Sequence, residues 1–290
     1  VELKRYFTTI DAHVGGEPLR IVNGGYLPIK GSTMLERQAY LRERYDWIRK
    51  LLLHEPRGHH GMYGCMVTPP ASEDADLGVL FMHNEGFSTM CGHGVIGVVT
   101  VAIESGILPA AADRQKVVLD SPSGKITAYA ECAGSEVLSV SFQNAPSFVL
   151  AQDVPIAAKG RAFKVDIAFG GAFYAIVQED DLGLKVKIED LPELQKWAAA
   201  IKAEAERQVD VRHPCESELS GISGVIVSGK PRRDDSDLRS VTIFASGQID
   251  RSPGGTGTCA RMAALHARGL LAMGSEFTHE SIVGSQFAGR

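Results

Sequence analysis

The chain is short of paired cysteines. Its five, Cys65, Cys91, Cys132, Cys215 and Cys259, are odd in number, and none stands in a CxxC or CxxxC spacing. That argues against both a disulfide framework and a thiolate zinc site, and makes reduced thiols in a cytoplasmic protein the expectation. No stretch approaches the roughly 18–20 uninterrupted apolar residues of a membrane helix. The opening "VELKRYFTTIDAH" lacks the charged-then-apolar pattern of a secretory signal. Charge imbalance is also small: a net −5 gives no reason to expect nucleic acid or an anionic membrane as partner. The basic run Lys230-Pro231-Arg232-Arg233 is followed at once by Asp234-Asp235 and reads as a solvated loop. "GGTGT" has no GK[ST] ending and its glycines do not fit the dinucleotide fingerprint. His59, His60, Tyr63 and Cys65 suggest no metal site, because adjacent histidines point apart and no carboxylate is near in sequence.

What is present is an ordinary globular composition, 44% hydrophobic and 22% charged over 290 residues, enough for one large domain or two of ordinary size. Thr33 and Glu36 have capping-box spacing. They open a helix with Leu41, Tyr45, Ile48 and Leu52 on one face, ended by Pro56 and Gly58. "GMYGCMVTPP" and "LGVLFMHN" read as strands. "VIGVVTVAIESG" is apolar almost all round, a pattern a strand also gives; its length and Gly106 at the place of a C′ glycine favour a buried helix. Strands resume in "KVVLDSP", "KITAYAEC" and "VLSVSFQNAP", and a boundary is expected near 147–155. The second half repeats the scheme. "RAFKVDIAFGGAFYAIV" reads as hairpin strands. A helix follows with Leu194, Trp197, Ile201 and Ala205 on one face and Pro192 in its first turn. After further strands, a glycine-rich turn leads into "CARMAALHARG", expected to be nearly as apolar a helix as the first. The expectation is an α+β chain of two similar lobes, 1–150 and 151–290. Each lobe wraps a sheet around a central buried helix, with a cleft between them.

Two segments carry the chemistry. "STMCGHGVIG" (88–97) sets Cys91 ahead of Gly92-His93-Gly94, and "DRSPGGTGTCARMAALHARG" (250–269) follows the same plan with Gly254 where a matching cysteine is expected. A helix N-terminus offers unpaired N–H groups and partial positive charge. It binds carboxylate without a cationic side chain and favours thiolate over thiol. Cys91 is the candidate base, and the amides about Gly92, His93, Gly255 and Thr256 are candidate carboxylate ligands. Delocalising charge onto a held carboxylate makes an α-proton removable without pyridoxal phosphate or a metal.

"MCGHG" with "DRSPxGTGT" resembles the proline racemase family, which includes hydroxyproline epimerases and trans-3-hydroxy-L-proline dehydratases. "HVGGEPLRIV", "YDWIRKLLLHEPRGH", "MYGCMVTPP", "FGGAFYAIV", "ELSGISGVIV" and "HESIVGSQFAG" extend the resemblance over nearly the whole chain. It implies a cofactor-independent enzyme of the diaminopimelate-epimerase-like fold, acting on a small imino acid, with a homodimer suggested by analogy. Residue by residue, it makes Cys91 the proton acceptor. It gives the substrate carboxylate to Gly92, His93, Gly255 and Thr256, and the ring nitrogen to Asp250 together with His93. His13, Glu17 and Pro18 match the family's H-x-x-GEP segment, expected to support the site from behind.

Racemases and epimerases of this family use a second cysteine where this chain has Gly254. Inversion by two thiols is therefore unavailable. Cys259 lies five residues on, about 7 Å along a helix axis, and reads as packing. Elimination needs only one base, and "STMCGHG" and "GGAFYA" resemble the dehydratase branch, although that branch commonly has threonine at this position. The expected activity is dehydration of trans-3-hydroxy-L-proline. The alternatives are a proline or 4-hydroxyproline racemase or epimerase, or a non-catalytic imino-acid-binding homologue. The sequence stops at Arg290 where members of the family continue with further strands; either it is incomplete or this half is shortened, and strands missing from the whole molecule would leave one lobe with an exposed sheet edge.

Overall fold

The structure is a computed structural model that describes residues 5–25, 28–216 and 219–290. The first four residues of the N-terminal segment discussed above and Glu218 of "ELSGISGVIV" lie outside the described residues. The chain divides into two compact units, Val1–Gln143 and Asn144–Arg290.

The first unit runs β1 (Thr8–Val14), β2 (Glu17–Gly24), α1 (Met34–Leu53), β3 (Tyr63–Thr68), β4 (Leu77–His83), β5 (Gly86–Ser88), α2 (Gly92–Glu104), β6 (Arg114–Ser121), β7 (Gly124–Ala133) and β8 (Glu136–Phe142). The sheet order is β1-β2-β3-β4-β6-β7-β8, with β5 paired to β4. Helix α2 packs against β1 and β2 at one flank and β7 and β8 at the other, so the sheet curves around it. Strand alternation divides the core. In β4, Val79 and Phe81 join Val95, Val98 and Val99 of α2, while Leu80 and Met82 join Leu41, Ile48 and Leu52 of α1 on the opposite face. A strand buried on both faces reads as a continuous apolar run, as "LGVLFM" does. The α1 capping box is formed at Thr33 and Glu36, worth about 1 kcal/mol. Tyr45, expected on the buried face, instead leaves helical geometry (φ −136°, ψ 20°) and is only half-buried.

The second unit runs β9 (Phe148–Ala158), β10 (Arg161–Phe169), β11 (Phe173–Gln178), α3 (Glu179–Leu182), α4 (Leu191–Gln208), β12 (Gly224–Gly229), β13 (Leu238–Phe244), β14 (Gln248–Asp250), α5 (Gly255–Ala267), β15 (Phe277–Ser281) and β16 (Gln286–Gly289). Residues 147–155, expected to hold a boundary, mostly form β9, which buries Val154 and Ile156 inside the second unit. Strands β10–β16 repeat the topology of β1–β7, whereas β8 pairs with β7 and β9 with β10, at opposite ends of the repeat. The pairs β1/β2, β3/β4, β4/β5 and β6/β7 are antiparallel, as are β10/β11, β12/β13, β13/β14 and β15/β16. The pairs β2/β3 and β4/β6 are parallel, as are β11/β12 and β13/β15. Helices α1 and α4 occupy matching places, and so do α2 and α5.

The two central helices differ in one respect. Helix α5 buries only one side, through Gly257, Thr258, Ala260, Arg261 and Ala264, whereas Met262 and Ala263 are half-buried and Ala267 is exposed. Its sheet face is partly polar: Ser240 and Thr242 of β13 point to this side while Val241 and Ile243 join the α4 core.

Candidate active site

In the first unit Cys91 is the N-cap of α2. Its backbone is extended (φ −150°, ψ 112°) and its Sγ accepts from the Gly94 N–H at 3.4 Å. Negative charge on this sulfur therefore meets an N–H and the positive end of the helix. Gly94 has to be glycine here, because a Cβ would stand 2.6 Å from the Phe81 ring and 3.1 Å from Cys91 Sγ. The N–H groups of Gly92 and His93 belong to the first turn, which has no intrahelical acceptor for them.

The His93 ring lies directly against the base, with Nδ1 3.2 Å from Cys91 Sγ. It is buried, donates to the Pro18 carbonyl, and packs edge-on to Tyr63 at 4.9 Å. Burial lowers its pKa to about 4, opposed by the Pro18 bond, so at neutral pH it is an uncharged imidazole. Stabilisation of a Cys91 thiolate therefore comes from the helix terminus rather than from an imidazolium. Pro18 ties the GEP segment to the site through His93. His13 accepts from the Gly16 N–H at 3.4 Å in the β1–β2 turn, and Glu17 is buried at the start of β2.

In the second unit Gly254 occupies the matching N-cap, of α5, with φ 76° and ψ 122°. Here an L side chain is disfavoured by the backbone itself, and a Cβ would sit 3.0 Å from Asp250 Oδ2. Asp250 ends β14. Ser252 occupies its Oδ1 with a backbone N–H at 2.8 Å and a hydroxyl at 2.7 Å, while Oδ2 is directed toward the space a residue-254 side chain would fill. Ser252 Oγ also accepts from the Gly254 N–H at 3.1 Å. Burial raises the Asp250 pKa to about 6 against the two Ser252 bonds.

Gly255 and Thr256 supply first-turn N–H groups, and the Thr256 hydroxyl is 2.7 Å from that of Tyr174 in β11. Gly170 lets the β10–β11 turn meet this helix start, since a Cβ there would lie 2.2 Å from the Thr256 carbonyl oxygen.

The structure thus groups Cys91, Gly92 and His93 in one unit and Asp250, Gly254, Gly255 and Thr256 in the other. Cys259 stands apart from the second group, inside α5. Burial pushes its thiol pKa up, with a hydrogen bond to Asn144 opposing. Cys65 and Cys132 are buried and Cys215 is exposed. Sequence reasoning assigned no role to Ser252, although it sits inside the quoted motif, or to Tyr174, in the quoted "FGGAFYAIV". Tyr63 and His279 also stand in quoted segments, "MYGCMVTPP" and "HESIVGSQFAG", and were given no role at the site. Among the described residues no cluster of three or more His, Cys, Asp or Glu could hold a metal ion, and no helix is long and apolar enough to cross a membrane.

The proline racemase family model matches residues 9–290. A trans-3-hydroxy-L-proline dehydratase of Bacillus cereus is 56% identical over 289 residues, covering 100% of this chain and 86% of the relative. Proline racemase A of Trypanosoma cruzi is 42% identical over 297 residues, covering 100% and 70%. The crystal structure of a hydroxyproline epimerase from Agrobacterium vitis, with bound trans-4-hydroxy-L-proline, superposes with a TM-score of 0.89 at 30% identity, covering 99% of this chain and 84% of that one. Paired helix starts, one matching architecture in both halves and a family match across nearly every residue lead to one conclusion: the chain belongs to the proline racemase family.

Proposed function

We propose that this protein is a cofactor-independent lyase that dehydrates trans-3-hydroxy-L-proline with a single base, Cys91. One observation carries the reading: of two equivalent N-cap positions, one holds a thiol and the other a glycine in a conformation unsuited to any side chain. The name of the relative at 56% identity supports the same substrate.

In this reading the substrate carboxylate is bound by the first-turn amides of Gly92, His93, Gly255 and Thr256, which take up charge as the α-proton leaves. Asp250, as carboxylate, holds the ring ammonium, and neutral His93 lies beside both the base and the nitrogen. Cys91 Sγ takes the α-proton, the electron pair forms the C2–C3 double bond, and the 3-hydroxyl departs. In this substrate the carboxylate and hydroxyl are trans, so the α-hydrogen and the hydroxyl share one ring face. The thiol that has just gained a proton is then on the side from which hydroxide leaves and can return that proton to it as water. The enamine tautomerises to Δ1-pyrroline-2-carboxylate.

The test is a substrate panel in D2O followed by proton NMR, with borohydride reduction to trap the imine. Imine from trans-3-hydroxy-L-proline, with none from the 4-hydroxy isomers, is expected. Cys91→Ser should lower turnover by roughly 10²–10⁴-fold. D-configured product from L-proline would instead establish a racemase, and ligand binding without α-exchange or elimination a non-catalytic homologue.

A further inference from the structure

We propose that His279 is a positioning residue: through Thr258 it fixes the peptide plane between Gly254 and Gly255 and so aims the Gly255 N–H at the substrate carboxylate. The inference rests on the assignment of Gly255 as a carboxylate ligand, and adds what holds it in place.

Three buried polar side chains from three elements form one chain. Ser240 of β13, His279 of β15 and Thr258 of α5 are 1%, 0% and 4% exposed. His279 Nε2 is 2.5 Å from Ser240 Oγ, and Nδ1 is 2.8 Å from Thr258 Oγ1. Thr258 Oγ1 lies 2.6 Å from the Gly254 carbonyl oxygen. A carbonyl only accepts, so the threonine hydroxyl proton goes to Gly254. Toward His279, Thr258 must accept, which places the imidazole proton on Nδ1. Nε2 then accepts the proton of Ser240. Every donor role follows from the far end of the chain, provided the ring is neutral. Burial, with the Arg261 cation adding to it, holds the His279 pKa down at about 3, so it is neutral throughout the working range.

The Gly254 carbonyl is thereby held twice, by the Thr258 hydroxyl and by the Thr258 N–H at 2.9 Å. Gly254 and Gly255, which flank this peptide, both lack a side chain, so the peptide is free to rotate unless something grips it. The amide is planar and trans, with its oxygen and hydrogen on opposite sides. Gripping the oxygen from inside the unit therefore sets the direction of the Gly255 N–H. Thr258 alone is a weak grip, since a helical threonine has two accessible rotamers. The His279 N–H removes the second by occupying the hydroxyl's acceptor side.

An N–H that holds the carboxylate and takes up its growing charge predicts losses in both binding and turnover that depend on the carboxylate. Thr258→Val is isosteric and lacks the hydroxyl, Thr258→Ser keeps it, and His279→Asn shortens the donor. We expect Thr258→Val and His279→Asn to raise KM for trans-3-hydroxy-L-proline and the calorimetric Kd for L-proline about tenfold, the effect of one misaligned bond to a charged group. The kcat should fall as well, because the same N–H takes up charge as the α-proton leaves. Thr258→Ser should restore wild-type values, and the weaker affinity for L-prolinamide, which has no carboxylate, should not change. Thermal midpoints report folding, and if His279→Asn does not fold, Thr258→Val decides. L-Proline bound equally well by wild type and by folded Thr258→Val overturns the proposal alone. Equal losses for L-proline and L-prolinamide also overturn it, showing a purely structural chain. Wild-type protein that neither binds L-proline nor turns over substrate overturns the proposed function instead.

Discussion

Asp250 and Gly254 face each other across a gap that in a two-base enzyme would hold a side chain. In the proposed function Asp250 holds the ring ammonium as a carboxylate, so kcat/KM should fall as pH drops through about 6, the value to which burial raises it. Asp250→Asn should flatten that limb while lowering kcat/KM at pH 8. The sign for stability is the reverse. A carboxyl raised in the fold favours folding at pH below its unfolded value, and that contribution is lost as pH rises through about 6. Restoring a thiol at Gly254 should not restore inversion. With φ at 76° and Asp250 Oδ2 3.0 Å from the new Cβ, Gly254→Cys should destabilise by roughly 1–3 kcal/mol. A denaturant titration measures that cost, and D-configured product from L-proline would refute the functional half of the prediction. These residues were legible because a Gly-rich helix start announces itself locally. Tyr174 and His279 were not, since each reaches its partner only because helix α5 packs on strands distant in sequence, 82 residues for Tyr174 and Thr256 and 21 for His279 and Thr258.

The elements show the same division between local signal and tertiary context. Helices α1, α2 and α4 followed from capping and apolar spacing, and the two-faced β4 from its unbroken apolar run. Strand β9 was missed because residues 148–153 alternate poorly and contain no turn signal. Its burial comes from β10 and the helices laid over it. Helix α2 illustrates why propensity alone misleads. Ala in place of Gly97 gains about 1 kcal/mol of helix propensity, but its Cβ would stand 2.6 Å from Leu19 and 3.2 Å from Val14. Overpacking of that kind costs about 1–3 kcal/mol. Gly97→Ala should therefore be neutral to destabilising by about 2 kcal/mol in urea titration, never stabilising.

Each unit contains one fully enclosed neutral histidine, His93 in the first and His279 in the second, with pKa values held at about 4 and about 3. Unfolded histidine takes up a proton near pH 6.5. Stability contributed by keeping them neutral is complete above that value and is lost as pH falls toward the folded values. Between pH 7.5 and 5 each should remove about 2 kcal/mol. In the second unit Asp250 gives back about 1 kcal/mol over the same interval, so the first unit should be the more acid-labile. The two tryptophans report this separately, since Trp47 lies in α1 and Trp197 in α4. In single-tryptophan variants (Trp47→Phe or Trp197→Phe), the Trp47 transition should shift further on acidification than the Trp197 transition.

In the proposed function, sulfur at only one of two matching helix starts makes the chemistry one-handed. An L-imino acid without a 3-hydroxyl cannot eliminate, and its α-carbanion has a single donor to be quenched by. Such a compound should leave heavy water carrying deuterium at Cα with its configuration retained, a labelling without inversion that a pair of opposed thiols could not produce.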